Sequence, residues 1–100
     1  FIFKVYKAFS DDKIIITQPF KKFTEIFNTY QDRIRAAEGC LSVQLLHDVN
    51  NPCIFFTYSI WNDETFLEKY RLSSTFGEVW PQVKPLFAAP AEAWTTTVEG

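Results

Sequence analysis

Residues 53–80 read CIFFTYSIWNDETFLEKYRLSSTFGEVW, and the order of structural elements turns on them. Residues 53–61 form an aromatic, β-branched run that predicts a strand ending at Trp61. Ile54, Phe56, Tyr58 and Ile60 fall on one of its faces, Cys53, Phe55 and Trp61 on the other. A strand that is apolar on both faces needs two covering layers. Asn62 or Asp63 then caps a helix, with Glu64 favourably placed in its first turn and Phe66, Leu67 and Tyr70 turned inward. Ser73-Ser74 restarts the chain, and Thr75 with Glu78 fits a capping box. Phe76, Val79, Trp80, Val83, Leu86 and Phe87 follow at helical spacing, with a kink or break expected at Pro81, which lacks a backbone donor.

Upstream, CLSVQLLHDV (residues 40–49) predicts a strand with Leu41, Val43 and Leu45 on one face and Ser42 and Gln44 on the other. Asn50-Asn51-Pro52 predicts the turn that joins it to the aromatic strand, because Asn tolerates positive φ and Pro cannot continue a ladder. Before that, Phe20, Phe23, Phe27, Tyr30, Ile34 and Ala37 recur at spacings of three and four, one apolar stripe of a helix. Pro19 opens it, after Thr17 or Gln18 as cap, and Gly39 closes it. Phe1, Phe3 and Val5 alternate with Lys4 in a half-buried strand over residues 1–9. Ile14, Ile15 and Ile16 fit a short edge strand or a loop under the first helix, and the loop is the favoured reading. Downstream, AWTTTV (93–98) predicts a last strand.

The resulting order, β-α-β-β-α-β, is the split βαβ pattern of an α+β, ferredoxin-like antiparallel sheet with helices on one face. The helices cover one face of the aromatic strand only. Each large apolar side chain left uncovered forfeits roughly 1.5 to 3 kcal/mol of burial, so a homodimer through the open sheet face is expected.

Composition narrows the function. One hundred residues make a single domain, 1–100, and eighteen of them are aromatic, eleven Phe among these. So many rings on so small a domain again point to a second chain. The net charge of −2, with no basic cluster larger than Lys21-Lys22, argues against nucleic acid. No apolar run approaches the ~20 residues of a membrane span. Cys40 and Cys53 fall at opposite ends of the predicted hairpin, about eight residues apart at ~3.3 Å each, which is beyond disulfide reach. A reduced, cytoplasmic protein is expected.

Three segments, GCLSVQLLHD (39–48), FFTYSIWNDETFLEKYRLSSTF (55–76) and VKPLFAAPAEAW (83–94), resemble the antibiotic biosynthesis monooxygenase domain family over roughly residues 39–96. The Gly-Cys-Leu start, the Trp closing the aromatic strand and the acidic helix start carry the likeness. The resemblance implies ferredoxin-like protomers paired through their sheets into a dimeric α/β barrel. It also implies O2-dependent oxidation of quinols or polycyclic phenols without metal or flavin. Many members carry a His on the helix after the Trp, where this chain has Tyr70. The haem-degrading branch needs a Trp near the position of Tyr70 and a His near Trp80, and this chain has neither. Its one histidine, His47, lies near a hairpin tip, so haem degradation is disfavoured.

No phosphate loop, metal spacing or nucleophile motif is present. Asp11-Asp12 and Asp63-Glu64 read as loop and cap charges. Tyr70 and Arg71 are the candidate catalytic pair, and Tyr58, Trp61 and Trp80 are either core or the wall of a pocket for a small aromatic substrate. Lowering a tyrosine from about 10 to about 7 takes roughly 4 kcal/mol, while a partly exposed Arg supplies ~1 kcal/mol. Tyr70 is therefore expected to donate a hydrogen bond to a substrate oxygen rather than to act as a base. Two functions stand: a cofactor-independent oxygenase for quinol-like aromatics, and a non-catalytic dimeric ligand-binding or structural module that has lost the family His.

Overall fold

The structure, a computed structural model, describes residues 7–18 and 21–98. Its four strands are β1 (Ala8–Ile15), β2 (Cys40–His47), β3 (Ile54–Trp61) and β4 (Glu92–Thr96). The helices are α1 (Lys21–Arg35), α2 (Glu64–Arg71) and α3 (Ser74–Val83), with a 3₁₀ turn at Lys84–Leu86. The strands form one antiparallel sheet in the order β2-β3-β1-β4, the ferredoxin-like arrangement expected from the element order.

The first strand differs from expectation. Residues 10–15, read as loop, belong to β1, which lies between β3 and β4. The Asp11-Asp12-Lys13 triplet hides this strand from a hydrophobicity pattern. In the sheet, Ala8, Ser10 and Ile14 are buried. Ile16 is almost wholly buried just beyond the strand, its N–H donating to the Cys53 carbonyl at 2.9 Å. Of the strand expected over 1–9, the described residues are Lys7, which precedes β1, and Ala8 and Phe9, which belong to it. Residues 1–6, and Pro19 with Phe20, where the helix is expected to open, lie outside them.

Helix α1 buries Phe23, Ile26 and Ile34, so Ile26 joins the apolar stripe. Gly39 ends this segment at φ 80°. On β2 a bulge between Cys40 and Ser42 leaves Leu41 without a strand partner and 48% exposed, so Cys40 rather than Leu41 shares the helix-side face with Val43 and Leu45. The β2–β3 turn is held by Asp48, whose carboxylate accepts from the N–H groups of Asn50 and Asn51 at 3.0 and 2.8 Å. Neither Asn needs a positive φ.

Asp63 caps α2, accepting from the Thr65 N–H at 2.7 Å. Ser73 caps α3, in place of the Thr75–Glu78 box, because the Ser73 hydroxyl also donates to the Tyr70 carbonyl at 2.6 Å. Glu78 instead pairs with Arg33 of α1 at 2.5 Å. Helix α3 runs through Pro81 and tightens into the 3₁₀ turn only at Lys84. The Gln82 amide, which donates to the Glu78 carbonyl at 2.8 Å and to the Tyr30 hydroxyl at 3.0 Å, bridges the proline turn and ties α3 to α1.

All three helices lie on one face of the sheet, against Phe55, Ser59 and Trp61 of β3. The other face carries Phe9, Leu46, Phe56, Tyr58, Ile60 and Trp94, with Leu46 and Trp94 still 43% and 50% exposed.

Candidate functional site

Along their helix-facing sides the two central strands read Ala8-Ser10-Asp12-Ile14 against Trp61-Ser59-Thr57-Phe55, residue opposite residue. Both ends of this strip are apolar. Its middle is polar, at positions that the burial of a small sheet ordinarily fills with aliphatic side chains. A cavity of about 90 Å³ opens above this polar patch. Phe23, Phe27 and Ile34 of α1 bound it on one side, and Phe76, Val79 and Trp80 of α3 roof it. Helix α2 contributes Tyr70 and Arg71. These are consecutive and point about 100° apart on the helix, yet both border the cavity because α2 crosses above Trp61 and Ser10.

Hydrogen bonds organise the floor. Thr57 Oγ1 donates to Asp12 Oδ2 at 2.9 Å, and Trp61 Nε1 donates to Ser59 Oγ at 2.9 Å. Arg71 Nη2 makes a long contact of 3.5 Å to Ser10 Oγ. Burial raises the Asp12 carboxyl above the ordinary carboxylate range. The Thr57 hydrogen bond and the Arg71 charge pull it back, the Asp11 charge adds to the rise, and Ser10 lowers it again. Tyr70 stacks on Trp61 at 5.2 Å between ring centroids. Burial, with the charge of Asp12 and that of Cys40 when ionised adding to it, pushes its hydroxyl up to about 12. Tyr70 is therefore protonated at neutral pH and is a poor base.

Of the five residues singled out from the sequence, Tyr70, Arg71 and Trp80 border this cavity. Trp61 does not. It is 0% exposed and lies beneath Tyr70, supporting the ring rather than forming a wall. Tyr58 is on the opposite face of the sheet, paired across β1 with Asp11. A strand with two apolar faces does not reveal which one the helices cover. Asp12, Ser10, Thr57 and Ser59 were missed, although Thr57 and Ser59 visibly interrupt the apolar series between Phe55 and Trp61.

His47 is exposed and stacks on Phe55 at 4.8 Å, at the end of β2. Among the described residues no group of three His, Cys, Asp or Glu side chains is placed to hold a metal ion. Cys40 and Cys53 are both free thiols, and burial raises Cys40. No helix of the described residues is long and apolar enough to cross a membrane.

An open antiparallel sheet under three helices, with an aromatic-walled cavity over a polar floor, defines a small ferredoxin-like α+β protein. The chain belongs to the antibiotic biosynthesis monooxygenase family, whose profile of that description matches residues 20–80. Among solved structures, a Nitrosomonas europaea protein named for this family is similar with a TM-score of 0.88 at 12% identity, covering 98% of this chain and 95% of its own. A Caulobacter crescentus protein also named for it gives 0.86 at 14%, covering 96% and 92%. A conserved protein from Methanosarcina mazei gives 0.85 at 20%, covering 92% of each chain. At these identities the likenesses speak for the fold. No curated protein matches the sequence.

Proposed function

We propose that the protein is a monooxygenase that oxidises a small quinol-like phenol with O2 in the cavity between helices and sheet, using no cofactor. The observation that carries this reading is the polar patch of Ser10, Asp12, Thr57 and Ser59 beneath an otherwise aromatic and aliphatic chamber. An electron-rich phenolate transfers an electron to O2 by its own chemistry. The protein's task is to hold the ring flat, favour the anion and exclude water. Trp80 and Phe76, stacked at 5.4 Å, supply a flat wall. Tyr70, held protonated, donates to the substrate oxygen, and Arg71 supplies positive potential to it.

Oxygen uptake measured over a panel of quinols tests this reading. Turnover is expected for at least one of them. Tyr70→Phe, which keeps the ring and its stacking, is expected to lower that turnover tenfold or more, equivalent to ~1.4 kcal/mol of barrier. The melting temperature should stay nearly unchanged. Unaltered turnover removes Tyr70 from the chemistry. Quinol binding without oxygen consumption favours the second reading, a ligand-binding module, to which the high Tyr70 pKa and the missing family histidine already lend support.

Two copies of the chain are proposed to pair through the open sheet face, in a reducing compartment that suits the two free thiols. Apolar side chains on a sheet face that no helix covers, Leu46 and Trp94 exposed and Phe56, Tyr58 and Ile60 half-buried, support an interaction site there, with Tyr58 part of it rather than of the pocket. Sedimentation at micromolar concentration should give about twice the 11.7 kDa chain mass. Phe56→Glu, at the centre of that face, should return the protein to monomer. A wild-type monomer at that concentration removes the pairing.

A further inference from the structure

Asp12 is the group in the cavity that packing explains least. It stands on a central strand, faces the helices, and occupies a position flanked by Ser10 and Ile14, both buried. Among the described residues no ion pair closes on it. Arg71 contacts Ser10 instead, so the guanidinium and the carboxylate lie near one another across the floor without neutralising each other directly. Thr57 donates to its Oδ2, and the neighbouring Ser10 hydroxyl also favours the ionised carboxyl. A sheet that needed only a filler between Ser10 and Ile14 is better served by Val or Thr, since even half-burying a carboxylate without an ion pair is unfavourable. Carboxylates kept in such places are characteristic of proton-handling sites.

We propose that Asp12 is the proton acceptor of this cavity, taking the hydroxyl proton of a bound neutral phenol. Ligands are thereby restricted to rings that carry a free hydroxyl and no anionic substituent. The proposal rests on the reading of the cavity as a quinol-oxidising site and gives that reading its base. A phenolic O–H donates to the Asp12 carboxylate, and as the proton moves the phenolate oxygen is met by Arg71 and the Tyr70 hydroxyl. The substrate's negative charge then replaces that of Asp12 within the same small volume, so the net charge of the chamber is unchanged. Its raised affinity for protons narrows the mismatch with a phenol. Among the described residues, the titratable and charged groups around Asp12 are Arg71 and Tyr70 of α2 and the adjacent Asp11 on β1, whereas α1 and α3 border the cavity with apolar side chains.

The full step balances. The phenolate of a hydroquinone gives one electron to O2, and the resulting superoxide and phenoxyl radical combine, forming a C–O bond at the ring carbon beside the oxidised oxygen. The peroxide takes the proton from Asp12. Loss of the hydrogen on that carbon with cleavage of the O–O bond releases water and leaves a hydroxyquinone. One quinol and one O2 thus yield one hydroxyquinone and one H2O, both reducing electrons coming from the substrate.

The test uses two probes. Resorcinol carries two phenolic hydroxyls but forms no simple quinone, so it reports binding without turnover, and 1,3-dimethoxybenzene is the same ring without a donor. Wild-type protein is expected to prefer resorcinol, and Asp12→Asn to reduce that preference tenfold or more. On any quinol that the wild type oxidises, Asp12→Asn is expected to lower kcat a hundredfold or more, with KM moving much less. Thr57→Val removes a hydrogen bond that lowers the Asp12 pKa, so the acid limb of kcat/KM should move to higher pH. This variant also keeps the proposal falsifiable should Asp12→Asn fold poorly. An Asp12→Asn protein with undiminished resorcinol preference, or a Thr57→Val protein whose acid limb stays in place, overturns the assignment. A preference that depends on Asp12 in a protein that consumes no O2 supports Asp12 as the phenol's partner and overturns the oxygenase reading instead.

Discussion

Replacing Trp61 by alanine is expected to lower folding stability by about 3 to 5 kcal/mol, the range for deleting a large buried aromatic. Trp61 is fully buried, packs in one cluster with Ala8 and Leu67, donates its indole N–H to Ser59 and supports the Tyr70 ring. Removal leaves a void beneath α2 and a buried serine hydroxyl without its donor. For a domain of this size each kcal/mol moves the melting temperature by about 4 to 8 °C. The whole margin of such a domain is about 5 to 15 kcal/mol. Thermal unfolding followed by circular dichroism should therefore show a fall of well over 10 °C. A change of a few degrees would mean that Trp61 is not a foundation of the fold. Trp61→Phe, which retains most of the stack, should lose far less.

The second large effect is expected at Gly39. Its φ of 80° is strained for any residue with a side chain, and a Cβ built there would stand 2.2 Å from the Phe66 ring. Left-handed backbone costs a residue with a side chain about 1 to 2 kcal/mol. Overpacking adds about 1 to 3 kcal/mol, since Phe66 of α2 packs in one cluster with Cys40 at the start of β2. Gly39→Ala is thus expected to destabilise by about 2 to 5 kcal/mol in denaturant titration. Gly77→Ala is the matched control. Gly77 lies inside α3, and an added Cβ meets nothing within 4 Å. The same chemical change there should be neutral or stabilising by up to about 1 kcal/mol. Equal effects at the two sites would refute the geometric argument.

Local patterning was enough for much of this fold. The stripe from Phe23 to Ile34, the Asp63 cap, the Asn50–Pro52 turn and the alternation of β3 each reflect physics confined to a few neighbouring residues. What stayed hidden depends on partners distant in sequence. β1 beyond Phe9 reads as a loop more readily than as an edge strand because Asp11, Asp12 and Lys13 look solvated. Only the pairing with β3 and β4 gives Asp12 a Thr57 hydroxyl and Asp11 a Thr96 hydroxyl, at 2.9 and 3.2 Å. Leu41 was misassigned because a bulge shifts the side-chain alternation by one, and a bulge leaves no mark in composition. At the candidate site, Tyr70, Arg71 and Trp80 were legible because they follow the aromatic strand along the chain. Asp12 was not, being 45 residues from the threonine that holds it.

The polar floor has a consequence for how such a protein changes over generations. In many proteins specificity is carried by loops, which vary freely because little packs upon them. In the site proposed above, the adjustable positions are two adjacent cross-strand pairs, Ser10 with Ser59 and Asp12 with Thr57, set between the apolar anchors Ala8–Trp61 and Ile14–Phe55. Exchanging side chains within those pairs rewrites the chemistry offered to a ligand while both anchors keep the strands in register. New activities would then arise by paired substitution in the middle of the sheet, the most regular part of the molecule, without insertions at its edges. A lineage built this way diverges in chemistry while its outline stays constant.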